Sequence, residues 1–187
     1  MRISGGEFGG RILSVPKSGA VRPTQDRVRE ALFSMIQGEI AGADFLDLFA
    51  GTGSVGLEAV SRGAARATFV ETAGAHLAVL RRNIDALGVS GRVETVRADA
   101  YRYIASYAGR GFSLAFADPP YALGEEKGYA GFLATLAERG VVRPGGLFVA
   151  EMTAAQPAAG APGWELLRDR TYGKSRLCVW RRAQGAA

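Results

Sequence analysis

Asp118-Pro119-Pro120-Tyr121 brings a carboxylate, proline-linked carbonyls and an aromatic ring into four consecutive residues, directly after the apolar run Phe112 to Ala117, which reads as a buried strand. Two prolines after an acid end a strand, fix φ and remove two N–H donors, so nearby backbone carbonyls become free acceptors. Acceptors beside a ring suit a planar base with an exocyclic amine: the acceptors hold its N–H groups and the ring stacks on its face. The same tetrapeptide also reads as an ordinary turn that closes a strand. The rest of the chain bears on that choice.

A second group of residues runs from Asp47 through Phe49, Ala50, Gly51, Thr52 and Gly53 to Gly56, a strand, a glycine turn and a helix start with Gly-x-Gly-x-x-Gly spacing. Glycines there let the backbone turn tightly and approach a ligand, a need that NAD, FAD and S-adenosylmethionine sites share. Glu71 follows the loop by about twenty residues, where an acid accepts from the ribose hydroxyls of an adenosine-containing cofactor. Asp99, followed by Ala100, is placed either to accept from an adenine amino group or to cap a helix. Carboxylates at 47, 71 and 99 suit a cationic ligand better than a pyrophosphate, which Asp47 would repel.

These residues need a frame, and the chain supplies one. From residue 44 onward, short apolar runs alternate with amphipathic stretches, the pattern of a doubly wound, mostly parallel α/β sheet. Strands are expected at 45–49, 67–70, 93–96, 114–117 and, after a Pro144-Gly145-Gly146 turn, 147–150. Helices are expected near 54–62, 73–87, 99–107 and 127–139, with Leu77, Leu80, Ile84 and Leu87 as a core stripe. Two further strands joined at Tyr172-Gly173-Lys174-Ser175 read as an antiparallel hairpin. That ending matches the Rossmann-like sheet of class I S-adenosylmethionine-dependent methyltransferases better than a nicotinamide-binding domain. Residues 154–163 are low in complexity and read as a surface loop. Ahead of the core, residues 1–40 read as a small glycine-turned hairpin followed by a helix capped by Thr24.

At 187 residues and 48% hydrophobic content, one domain spanning 1–187 is expected, with 1–40 as an extension and 41–187 as the cofactor-binding and catalytic core. A run of about 18 apolar residues is lacking, so a cytoplasmic protein without membrane contact is expected. Cys178 is the only cysteine and His76 the only histidine. That excludes an internal disulfide and a Cys/His metal site. Cys178 reads as packing and His76 as surface. The net charge of +5 favours a polyanionic partner. Its cations crowd both ends of the chain, and Arg2, Arg11, Arg22, Arg27, Arg29, Lys174 and Arg176 are the candidate phosphate contacts. Arginine's excess over lysine fits phosphate recognition and fits a codon bias equally well.

With loop and tetrad in this order, the sequence resembles amino-group methyltransferases that use S-adenosylmethionine. Arg22-Pro23-Thr24-Gln25-Asp26-Arg27-Val28-Arg29-Glu30-Ala31-Leu32-Phe33, the run from Leu46 to Ala59, and Ser61-Arg62-Gly63-Ala64 carry the likeness further, to the RsmD family of bacterial 16S ribosomal RNA guanine-N2 methyltransferases. It covers nearly the whole chain, and the Arg-Pro-Thr segment is its most specific part. Two departures stand out: Ala73 replaces an acid or amide, and Ser4 and Glu7 replace apolar or basic residues.

The resemblance implies S-adenosylmethionine as cofactor and 16S RNA of an assembled or assembling small subunit as partner; no metal is expected from a chain without a Cys/His cluster, and a short chain with no long exposed apolar stripe is expected to be a monomer. It implies that Asp118 and the Pro119 carbonyl hold the guanine amine, that Pro120 shapes the turn, and that Tyr121 stacks on the base for about 1–3 kcal/mol. The alternatives are an adenine-N6 methyltransferase, a nicotinamide-dependent oxidoreductase and a non-catalytic RNA-binding module.

Overall fold

The alternation of apolar residues along each strand is what builds the two-sided core. Phe45, Phe69, Leu114, Phe116, Leu147 and Val149 face one layer of helices, while Leu46, Leu48, Val70, Ala115, Phe148 and Ala150 face the other. A computed structural model describes residues 1–16, 23–119 and 129–184. Arg22, Pro120 and Tyr121, all expected at the functional site, lie outside the described residues.

Seven strands, β1 (Asp44–Leu48), β2 (Arg66–Glu71), β3 (Val93–Arg97), β4 (Phe112–Ala117), β5 (Val142–Thr153), β6 (Trp164–Tyr172) and β7 (Ser175–Arg182), form one sheet in the order β3-β2-β1-β4-β5-β7-β6. Pairings among the first five are parallel, and β7 runs antiparallel to both β5 and β6. The expected α/β class, strand number and closing hairpin are therefore present. Tyr172 pairs with Ser175 across a two-residue turn whose first residue, Gly173, has φ 59°.

Helices α1 (Pro23–Met35), α2 (Gln37–Ile40), α3 (Ser54–Ser61) and α4 (Gly74–Leu87) precede α5 (Ala100–Ala105) and α6 (Tyr129–Glu138). Side chains of α1, α3 and α4 pack into one core layer, those of α5 and α6 into the other, so the sheet is wound on both faces. The stripe of Leu77, Leu80, Ile84 and Leu87 is buried as expected. Helix α1 starts at Pro23, one residue ahead of the expected Thr24 cap.

Three local differences have physical causes. Strand β5 starts at Val142, ahead of the Pro-Gly-Gly turn, because Val142 pairs with Phe112 before the register shifts and Leu147 pairs with Leu114. The segment 154–163 is not a free surface loop: the Trp180 indole donates to the Ala159 carbonyl (2.9 Å), and Ala158, Ala159 and Ala161 pack against the core. Buried indole N–H groups need acceptors, and an otherwise featureless segment supplies one. The N-terminal hairpin reduces to a single antiparallel bridge, Arg2 with Ile12, held by the burial of Ile3 and Leu13.

Candidate active site

The strand order reverses between β1 and β4, and in open α/β sheets ligands bind at such a switch point, beyond the carboxyl ends of the strands. Asp47 and Phe116 are paired neighbours there. A cleft of about 240 Å³ opens above them, lined by Asp47, Phe49, Gly51, Thr52, His76 and Asp118. A larger cavity, about 480 Å³, lies at the opposite end of the same strands, against Asp44, Arg66, Val93 and Phe112. It includes neither the glycine loop nor Asp118, so the smaller cleft holds the candidate chemistry.

The loop after β1 is shaped by contacts that each residue type makes possible. Phe49 has φ 63°, rare for a residue with a side chain, and its ring packs edge-on against Tyr101 at 5.9 Å. Gly51 has φ 56°, and open space lies where a Cβ would stand, so its backbone is available to a ligand. At Gly56 a Cβ would lie 2.3 Å from the Phe69 ring and 3.0 Å from the Asp47 carboxylate. Only glycine there lets α3 come close enough for its N–H to reach Asp47 Oδ2 at 2.8 Å. The Asn83 amide donates to the Thr52 carbonyl (3.0 Å), and its oxygen accepts from Ser14 N–H (2.8 Å), joining the loop to the N-terminal segment.

Asp47 is 1% exposed and makes no ion pair among the described residues. Burial pushes its carboxyl up to about 7 against the single lowering influence of the Gly56 N–H, and the charge of Glu71 adds to the rise. Asp118 faces the open cleft but is crowded by protein. That crowding, then the charges of Glu151 and Asp47, holds its carboxyl above the usual range. Pro119 is buried immediately behind it.

Glu71 sits at the end of β2, where its oxygens accept from Gly51 N–H (2.8 Å) and Ala73 N–H (2.7 Å), with His76 Nδ1 at 3.7 Å. It braces the glycine loop, and each carboxylate oxygen keeps capacity for a second donor. The departure at position 73 is thus a backbone donor to Glu71. Asp99 caps α5, accepting from Arg102 N–H at 2.9 Å, and Ala100 is buried beneath it. Neither borders the cleft.

Sequence reasoning missed Glu151. A recess of about 70 Å³ adjoins the cleft, with Ser54, Val55, Phe116 and Asp118 bordering both and Met1, Arg29, Leu32 and Glu151 completing the recess. The Ser175 hydroxyl donates to Glu151 Oε1 at 2.7 Å, and the Tyr129 hydroxyl donates to the Glu151 carbonyl at 2.9 Å. A signal was present: Glu151 follows an apolar strand run, as Asp118 does. His76, expected on the surface, is about half exposed but lines the cleft beside Glu71.

Of the expected phosphate contacts, Arg2, Arg11, Arg27 and Lys174 are exposed. Arg11 also donates to the Ala86 carbonyl at 2.7 Å. Arg29 is a correction: it is 5% exposed and its guanidinium serves Glu58 (2.7 Å), Asp26 (3.0 Å) and the Arg2 carbonyl (2.7 Å). With Nε and Nη2 engaged and the side chain buried, the guanidinium is not presented to an RNA phosphate, and only Nη1 is left without a partner among the described residues. Arg176 is half-buried with Nε 3.4 Å from Asp169, so it too is committed within the hairpin. Ser4 and Glu7, the other departures, bond to Glu58 and to Arg92.

No helix among the described residues is long and apolar enough to cross a membrane, and no group of three or more acidic, histidine or cysteine side chains among them could hold a metal.

The family described as Conserved hypothetical protein 95 matches residues 1–181. Ribosomal RNA small subunit methyltransferase D of Escherichia coli (strain K12) is 36% identical over 189 residues, covering 99% of this chain and 92% of the relative. The protein of the same name from Haemophilus influenzae is 32% identical over 177 residues, covering 92% and 89%. The solved structure of yhhF from Escherichia coli superposes with a TM-score of 0.85 at 34% identity, covering 98% of each chain. The chain therefore belongs to the Conserved hypothetical protein 95 family, the family of the RsmD ribosomal RNA methyltransferases.

Proposed function

We propose that this chain transfers the methyl group of S-adenosylmethionine to the exocyclic N2 of one guanine in 16S ribosomal RNA. The coarser activity, S-adenosylmethionine-dependent methylation of ribosomal RNA, is that of its family. The small-subunit acceptor is carried over from the names of its relatives. One observation carries the reading further: Asp118 borders both the cofactor cleft and the adjoining recess.

The cleft fits a cationic cofactor. Asp47 has no cation partner among the described residues, and Gly51 leaves open space in the same cleft. When bound, S-adenosylmethionine supplies an electrophilic methyl group on a positively charged sulfur. Asp47 would hold its ammonium end, Phe49 to Gly53 its backbone-contacting portion and Glu71 the ribose hydroxyls, with the adenine reaching past the cleft toward Asp99 and Ala100 at the start of α5.

Asp118 and the Pro119 carbonyl accept from the acceptor amine. An exocyclic amine conjugated to a purine is a poor nucleophile while planar, and acceptors that strengthen as nitrogen becomes tetrahedral favour attack. Catalysis is then chiefly orientation and electrostatics. The proton released after transfer goes to Asp118 or to water, a role that the raised affinity of this carboxyl for protons suits. Tyr121 would stack on the base and Pro120 would fix its approach. Arg2, Arg11, Arg22, Arg27 and Lys174 would position phosphates without reading sequence.

We read 1–187 as one unit acting as a monomer on an assembled or assembling subunit. The test is transfer of labelled methyl to small subunits from cells lacking this gene, followed by nucleoside identification. N2-methylguanosine at one site is expected. Labelled N6-methyladenosine would move the assignment to the adenine reading.

A further inference from the structure

The recess beside Asp118 is lined by charged groups of both signs. Two carboxylates, Asp118 and Glu151, face it, together with one guanidinium, Arg29. Nε and Nη2 of Arg29 are engaged by Glu58, Asp26 and the Arg2 carbonyl, while Nη1 has no partner among the described residues. Glu151 is held in place from two sides, its Oε1 by Ser175 and its carbonyl by Tyr129, and Oε2 carries no bond among the described residues. It makes no ion pair among them either. The charged side chains of the wall are thus two acceptors and one donor, beside the Ser54 hydroxyl and Met1.

Set in the sequence Asp118, Glu151, Arg29, these groups would complement one purine edge. Guanine presents N2–H and N1–H as donors and O6 as an acceptor, whereas adenine presents an acceptor at N1 and a donor at C6. Resting on the reading that the recess receives the acceptor base, we propose that Glu151 is a specificity-determining residue. It accepts the N1–H of guanine while Asp118 accepts from N2 and Arg29 Nη1 donates to O6. An adenine in the same pose sets its N1 lone pair against a carboxylate and leaves buried polar groups unpaired, a mismatch that sites built for hydrogen bonding reject strongly. Burial raises the Glu151 carboxyl, and donation from two base N–H groups favours the ionised pair. The N-terminal extension has a part here, because Arg29 and Leu32 of α1 wall the recess.

The proposal is tested with small subunits reconstituted to carry either guanosine or 2,6-diaminopurine riboside at the position that the wild-type protein methylates. Diaminopurine keeps the 2-amino group but has an acceptor at N1 and a donor at C6. The wild-type protein should prefer guanine by about tenfold or more in kcat/KM. Glu151→Gln, whose amide can donate to N1 while its oxygen still accepts from Ser175, should shrink that preference by about tenfold. A purely structural role for Glu151 would lower turnover of both bases together, and an unchanged ratio overturns the inference alone. Equal use of the two bases by the wild-type protein overturns it without any variant. Absence of N2-methylguanosine with the wild-type protein removes the underlying reading and this inference together.

Discussion

Two sets of acids, linked through Arg29, are treated in opposite ways. Glu58 in α3 is fully buried and answered by cations: Arg29 Nε at 2.7 Å and Arg62 Nη2 at 2.7 Å, with the Ser4 hydroxyl as a third partner. Arg62 in turn lies over the Phe33 ring at 4.9 Å. Asp47, Asp118 and Glu151, at the carboxyl ends of β1, β4 and β5, face no cation in an ion pair among the described residues. Asp47 receives one backbone N–H and Glu151 one hydroxyl, and both carboxyls are raised by burial. Compensated acid clamps the N-terminal extension to α3. Uncompensated acids line the cleft that the proposed function assigns to a cationic cofactor. Arg29 belongs to both regions, since it neutralises Glu58 and also walls the recess.

The contrast can be broken first where it is strongest. Glu58→Ala leaves two guanidinium groups without their buried partner and should cost about 3–5 kcal/mol in urea unfolding. A loss below about 1 kcal/mol would show that this network does not seat the extension. The cleft should behave in the opposite sense. Asp47 has a folded-state value of about 7, above its ordinary 3.8, so the folded chain holds a proton that the unfolded chain releases first. Its contribution is full below that ordinary value, declines as pH rises from 3.8 to 7, and is lost above. Asp47→Asn, which can still accept the Gly56 N–H, should flatten that decline in unfolding curves taken across the window. A steeper decline in the variant would contradict the account. The smallest effect belongs to the exposed cations. Lys174→Ala should reduce the salt slope of RNA binding by about one, with S-adenosylmethionine affinity unchanged. An unaltered slope would remove Lys174 from the RNA surface.

Much of this was readable in the sequence where local periodicity decides the outcome. Alternating apolar residues fix which side chains of β1, β4 and β5 face each layer, so acids after apolar runs fall at the strand ends beside the glycine loop. Gly173 and its neighbours set the hairpin register. What could not be read depends on pairs distant in sequence. Arg29 looks like one more surface cation of an arginine-rich helix, and its burial follows from Glu58, 29 residues away. Glu151 has meaning only once α1 closes the recess. Asp99 satisfied two readings, and the structure shows the capping bond to Arg102. Residues 154–163 carry no periodic pattern because they are held by an indole donor and by alanine contacts to core residues distant in sequence.

The central claim is that Asp118 serves the acceptor base and not the retention of cofactor. Its most direct test is a single-turnover measurement of methyl transfer by Asp118→Ala, paired with calorimetry of S-adenosylmethionine binding. The account predicts a transfer rate lowered by about 10²–10³-fold, with cofactor affinity close to that of the wild-type protein. Transfer at the wild-type rate, or a loss explained wholly by weaker cofactor binding, would contradict it.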